Sequence, residues 1–200
     1  MKLVNSVLVA FSVATTLFAG ELDTTTRKVL LDHLNQSSTE FHAALKGVTA
    51  EQWNYKPAPD VWSVAECAEH IVLTEDLLRD MVANKVLATP ASPERIAARK
   101  LNDDKVTKMI TDRSNKAKAP EVLKPTHQFA TPEAALKAFD EKRAKTIAFA
   151  KSHDDLREHA SPHPLFKELD AYQWLLYLSG HSMRHTAQIL EVKASAGYPK

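Results

Sequence analysis

The chain has 200 residues, 44% hydrophobic and 26% charged, with 26 Lys and Arg against 25 Asp and Glu. That length suits one domain, and the charge balance excludes bulk attraction to nucleic acid or anionic lipid. A single cysteine, Cys67, excludes an intrachain disulfide.

Residues 1–20, MKLVNSVLVAFSVATTLFAG, place Lys2 before an apolar run from Leu3 to Phe18, with small residues at Ala19 and Gly20. This is the layout of a secretory signal peptide, and it is short for a permanent span. Cutting after Ala19 or Gly20 leaves Leu17 or Phe18 at the −3 position, so the cleavage point is not sharply marked. A retained anchor or a buried first helix is the competing reading. The expectation is an exported protein, periplasmic or extracellular, with one domain over 21–200. Loss of Lys2 would leave 25 cations and 25 anions. No stable membrane insertion is expected after cleavage, because no later segment approaches spanning length.

The remaining chain reads as helices separated by punctuated loops. Glycine is scarce, and Ala, Leu, Lys and Glu are plentiful. The first helix is expected from about Thr24 to Lys46, with Val29, Leu30, Leu34, Phe41 and Leu45 on a stripe and Gly47 past its end. NYKPAPDVW reads as a loop because of its prolines. SVAE opens the second helix as a capping box, Ser63 with Glu66 three positions later, and the helix continues to about Leu87. PERIAARKLNDDKVTKMITDR is a weaker, polar helix expected outside the main core.

Thr131-Pro132 starts the third long helix, which runs to about Ser152. HDDLREHASPHPLFKEL reads as a loop. Asp170 caps the fourth long helix, which ends near Gly197. Four amphipathic helices and one peripheral helix predict an all-α four-helix bundle. The connections at 48–62 and 88–130 are long for a simple up-down bundle and predict an overhand crossing.

The fourth helix contains HSMRH. Positions four apart lie about 40° apart on the helix and about 6 Å apart along it, so His181 and His185 project from one face. Trp174, Leu178, Ile189 and Val192 share that stripe. Buried imidazoles need partners for an N–H and a lone pair. One cation can use a lone pair from each, at about 2.0–2.1 Å; hydrogen bonds to carboxylates or water are the plain alternative. His70, two turns into the second helix, falls among Cys67, Thr74, Leu77 and Met81. On its own it reads equally well as a core-edge histidine.

WSVAECAEHIVLTE, followed about a hundred residues later by HPLFKELDAYQWLLYLSGHSMRHTAQIL, resembles the DinB-like four-helix-bundle superfamily. Its mark is a Trp-Ser helix start leading to one histidine, then an HxxxH pair on the last core helix. The upstream GVTAEQWNYKPAPDVWS resembles its usual entry loop, and the resemblance spans roughly Thr24 to Ala194.

The resemblance implies a divalent metal site, commonly nickel or zinc, with His70, His181 and His185 as ligands. Three neutral nitrogens and an open position suit a catalytic metal. The function so implied is a metal-dependent, hydrolase-like enzyme activating water on a small-molecule substrate. The alternatives are a non-catalytic metal or small-ligand binder and a thiol-dependent S-transferase; export argues against bulk thiol. A homodimer is expected only by resemblance. The insertion from about Thr89 to Thr126 would cover the site or form a dimer surface.

Other residues have plainer readings. Cys67 reads as a small core residue, Glu66 as the cap and Glu69 as solvated. Tyr177 and Gln188 could line a cavity beside the histidine pair, and Arg184 could meet a substrate anion or a surface carboxylate. His159 and His163 are four apart, but Pro162 and Pro164 argue against a helix there. His33, His42, His127 and His153 have no histidine at ligand spacing. Trp53, Trp62 and Trp174 read as packing residues. No GxGxxG, P-loop, GxSxG or HExxH motif occurs.

Overall fold

The computed structural model describes residues 22–114 and 118–200, so the expected signal peptide lies outside the described residues. Four long helices dominate: α1 (Thr24–Leu45), α3 (Val64–Met81), α6 (Pro132–Ser152) and α7 (Ala171–Lys193). Shorter helices are α2 (Ala50–Asn54), α4 (Pro93–Ala98) and α5 (Asp103–Thr111). A hairpin, β1 (Ala160–His163) with β2 (Lys167–Asp170), precedes α7. Among the described residues no helix is long and apolar enough to cross a membrane.

The helix starts follow local chemistry. The Ser63 hydroxyl accepts from Glu66 N–H at 3.1 Å, and the Glu66 carboxylate accepts from Ser63 N–H at 2.7 Å. Thr131 caps α6 with Pro132 in its first turn, and Asp170 caps α7 by accepting from Gln173 N–H at 2.7 Å. Each satisfies a backbone donor that a helix start leaves over. Past α3 the chain continues through a π-helical turn, Val82–Val86, so the expected end near Leu87 marks the whole run.

Helices α1 and α3 each pack on both α6 and α7, so the order around the bundle is α1, α7, α3, α6. Successive helices α1 and α3 therefore sit across a diagonal, as do α6 and α7. That is the crossing which the long connections predict.

The core has two apolar halves. One holds Leu30, Leu34, Leu78, Val82, Leu175 and Leu178; the other holds Phe41, Trp53, Cys67, Ile71, Phe139 and Ile189. Along α1, α3 and α6 a buried polar residue falls between the halves: Ser37, Glu75 and Arg143 respectively. On α7, buried Ser182 joins them.

Three expectations need correction. The polar segment after Pro93 forms two helices, and the second is not peripheral: Val106 and Ile110 are buried in the core against α7. The segment before α7 is not all loop, since Ala160 to His163 pair with Asp170 to Lys167. Helix α7 ends at Lys193, before Gly197.

Helix α5 sits so close to α7 that a Cβ at Gly180 would overlap the Cγ2 methyl of Ile110. Alanine there gains up to about 1 kcal/mol of helix propensity, while overpacking costs about 1–3 kcal/mol. Gly180→Ala is therefore expected to lower the urea midpoint by about 1–2 kcal/mol equivalent. An unchanged or raised midpoint would show that α5 lifts away at no cost.

Candidate metal centre

Two capped helices bring the histidines together. The capping box fixes the start of α3 and sets His70 two turns in, facing α7. The Asp170 cap fixes α7, from which His181 and His185 project one turn apart. The Nε2 atoms of His70 and His181 are 3.2 Å apart. Ring centroids lie 5.0 Å apart for His70–His181, 4.4 Å for His70–His185 and 4.5 Å for His181–His185. One ligand nitrogen from each ring lies within 4.8 Å of the others. His70 is 3% exposed and His181 is 9% exposed.

The far nitrogens decide the tautomers. His70 Nδ1 lies 2.8 Å from the Leu123 carbonyl, which only accepts, so Nδ1 carries the proton and Nε2 a lone pair. His185 Nδ1 lies 2.9 Å from Gln188 Oε1. That oxygen also accepts from Arg113 Nη1 at 3.3 Å, which orients the amide. His185 Nε2 therefore also carries a lone pair. Among the described residues His181 Nδ1 has no hydrogen-bond partner.

Two lone pairs thus face a third ring that can offer one of them a single N–H. A cation at about 2.0–2.1 Å from each nitrogen needs N···N separations of about 3.0–3.4 Å. The His70–His181 pair already meets that spacing, and the donor set fits a divalent ion.

All three rings are neutral at pH 7. Burial holds His70 below the usual imidazole range. Burial, then the neighbouring His185 and His70, push His181 well below it. Burial, then His70, bring His185 to about 3. Neutral imidazole is the form that ligates a metal.

The 88–130 segment supports the site from outside. Leu123 supplies the carbonyl to His70. Glu69, expected to be solvated, is instead buried at 2% exposed. Its carboxylate accepts from Thr126 N–H at 2.7 Å and Gln128 N–H at 3.0 Å, tying that loop to α3 beside His70. Arg113 bonds Gln188 and pairs with Glu191 at 2.6 Å. Arg184 donates to the carbonyls of Ile110 and Asp112 at the end of α5.

Trp62 is more than packing: its ring centroid lies 4.9 Å from His70 and 6.0 Å from His185. Tyr177 flanks His181 at 6.2 Å. Cys67 is fully buried in the core and outside the histidine cluster, and burial pushes its thiol well up. His163 is buried against Trp174, Tyr177 and Phe166, its Nδ1 accepting from Leu165 and Phe166 N–H.

Two surface cavities, of about 390 Å³ beside Arg99 and Arg157 and about 300 Å³ beside Ala43 and Leu190, are not lined by the triad.

The chain is 33% identical over 160 residues to YuaE, an uncharacterised protein of Bacillus subtilis (strain 168), covering 80% of this chain and 94% of that one. Its fold is similar to that of YfiT from Bacillus subtilis, with a TM-score of 0.53 at 15% identity over 89% of this chain and 91% of YfiT. YfiT is described as "a probable metal-dependent hydrolase with an unusual four-helix bundle topology". The DinB superfamily pattern matches residues 33–189, which takes in all three histidines, and with these likenesses it shows that the chain belongs to the DinB superfamily.

Proposed function

We propose that the chain is a metal-dependent enzyme of hydrolase type acting on a small molecule, with a divalent cation held by His70, His181 and His185. The observation that carries this reading is the set of three neutral rings turned to one point, two with their far nitrogens already bonded to oxygen. Imidazole ligands suit zinc and nickel better than magnesium or calcium, so one of the former is the proposed ion. Bound there with a position left open, such an ion supplies Lewis acidity, able to polarise a carbonyl or acidify water.

The chain's own groups hold the rings in register. The Leu123 carbonyl and Gln188 fix ring orientation, and outer partners of this kind are worth about 10–100-fold in metal affinity. Trp62 and Tyr177 wall the site with apolar surface. The description of YfiT supports hydrolysis as the reaction class. We carry export as part of the same proposal, on the residues 1–20 pattern. An oxidising compartment favours water over a thiol as co-reactant.

Freshly purified protein is expected to carry stoichiometric nickel or zinc by elemental analysis, and His70→Ala to carry at least about tenfold less. Equal trace metal in both would remove the basis of the proposal. Metal at about 100 times Kd should add about 2.7 kcal/mol to stability. Among the described residues no carboxylate joins the three rings, and this favours one second reading, a non-catalytic binder. Ester and amide hydrolysis that disappears in His185→Ala would decide for the enzyme.

A further inference from the structure

Building on the metal-site reading, we propose that Arg113 is a positioning residue for the metal and raises its affinity in spite of carrying a like charge. It acts through Gln188, whose amide it holds so that His185 keeps its proton on Nδ1 and its lone pair on Nε2. The insertion between α3 and α6 thereby sets whether His185 can ligate.

An amide has two faces. Turned one way, Gln188 offers Oε1 to His185 Nδ1, which must then carry the proton. Turned the other way it offers an N–H, Nδ1 must accept, and the ring proton moves to Nε2, where the metal would bind. Both arrangements have one bond to His185 and nearly the same shape. A guanidinium breaks the tie, because it only donates. Arg113 Nη1 lies 3.3 Å from Gln188 Oε1, the same atom that lies 2.9 Å from His185 Nδ1. Turning the amide would set two donors against each other.

Arg113 is itself fixed. Its Nε and Nη2 form a fork on the two Glu191 oxygens at 2.6 and 2.7 Å. Its Nη1 also donates to the Arg184 carbonyl at 3.4 Å. Gln188 and Glu191 follow the histidine pair on α7. Arg113 arrives from the other side, just past the end of α5, whose Ile110 lies against Gly180 of α7. The seating of α5 on α7 and the place of the His185 proton are therefore linked.

Charge and positioning predict opposite signs. A guanidinium near a dication repels it, so on charge alone its removal tightens metal binding. Loss of the amide's orientation weakens binding, because part of the His185 population must first move its proton off Nε2.

The test uses the full chain with Arg113→Met, which keeps an apolar stem and removes every donor. In the metal-free protein at neutral pH, long-range proton–nitrogen NMR reads the tautomer of each imidazole, and His185→Ala assigns the His185 signals. The wild type is expected to show His185 protonated on Nδ1, and Arg113→Met to show a large share protonated on Nε2. Zinc affinity, read by competition with a chelating dye, should fall about tenfold or more in Arg113→Met. Adding Gln188→Glu should return His185 to the Nδ1 form, since a carboxylate has no donor face to turn. If Arg113→Met fails to fold, Arg113→Ala is read in the same way.

A wild-type His185 protonated on Nε2, an unchanged tautomer in the variant, or equal or tighter zinc binding would each overturn the inference while leaving the metal reading in place. If the wild type loads no metal, the metal reading falls by itself. The metal-free spectra then decide: a tautomer that shifts in Arg113→Met upholds the role of Arg113 on His185, and one that does not shift ends it.

Discussion

Arg143→Ala is expected to cost about 3–5 kcal/mol of unfolding free energy, read as a large drop in the urea midpoint. Arg143 is 2% exposed and Glu75 is 1% exposed. The guanidinium pairs with both Glu75 oxygens at 2.8 Å. It also donates to the Leu34 carbonyl and Ser37 hydroxyl at 2.6 Å and to the Ser182 hydroxyl at 3.1 Å.

One side chain from α6 thus bonds α3, α1 and α7 in the polar layer between the two halves of the core. Truncation strands the Glu75 carboxylate away from water and takes one bond each from the Leu34 carbonyl and the Ser37 and Ser182 hydroxyls, which keep the Ser37–Leu34 and Ser182–Leu178 bonds. Against a typical total of about 5–15 kcal/mol, such a loss is severe. Removing both charges together strands neither, so Glu75→Leu with Arg143→Leu should recover most of the deficit. A single-variant loss below about 1 kcal/mol would show that water reaches this layer.

Acidification is expected to destabilise the metal-free protein from about pH 6.5 downward. In the folded state burial lowers His163 to about 4 and, with His70 adding to burial, His185 to about 3; His70 and His181 are also lowered, from an ordinary value of 6.5. The unfolded chain protonates these rings near 6.5 and the folded chain does not. The unfolded state therefore binds more protons, and stability that is complete above pH 6.5 drains as the pH falls towards 4 and 3.

Each ring that differs fully contributes a slope of about 1.4 kcal/mol per pH unit. His163→Phe removes one such ring, which lies outside the triad, and should make the denaturation midpoint less steep in pH across that window. An unaltered slope would mean that His163 protonates freely in the folded protein. Bound metal should steepen the loss, since protons compete for the same nitrogens.

Much of the fold was legible because its start signals are local. Ser63 with Glu66, Thr131 with Pro132, and Asp170 each begin a helix where the sequence places them. The convergence of His181 and His185 on one face follows from four-residue spacing alone. What stayed hidden depends on which distant segment returns to a given face. Glu69 reads as solvated until Thr126 and Gln128 come back to it. Glu75 had a signal that was missed: a charge sitting between Ile71 and Leu78 on the apolar side of α3. Helix α5 looked peripheral because Val106 and Ile110 are sparse among charges, and only the glycine opposite, Gly180, reveals the contact. The hairpin was masked by Pro162, which sits in β1 of a two-stranded sheet, where a proline is tolerated at an edge.

The oxygen that sets the His70 ring belongs to the main chain of Leu123 and not to any side chain. Exchanging Leu123 for another aliphatic residue should therefore leave that ring undisturbed. Sliding the backbone by one position would instead confront the imidazole N–H with a different peptide group. Kinship of letters at this point says little about kinship of chemistry: two relatives with unrelated residues there can anchor the ring alike, and two with identical residues can differ through a one-residue deletion upstream.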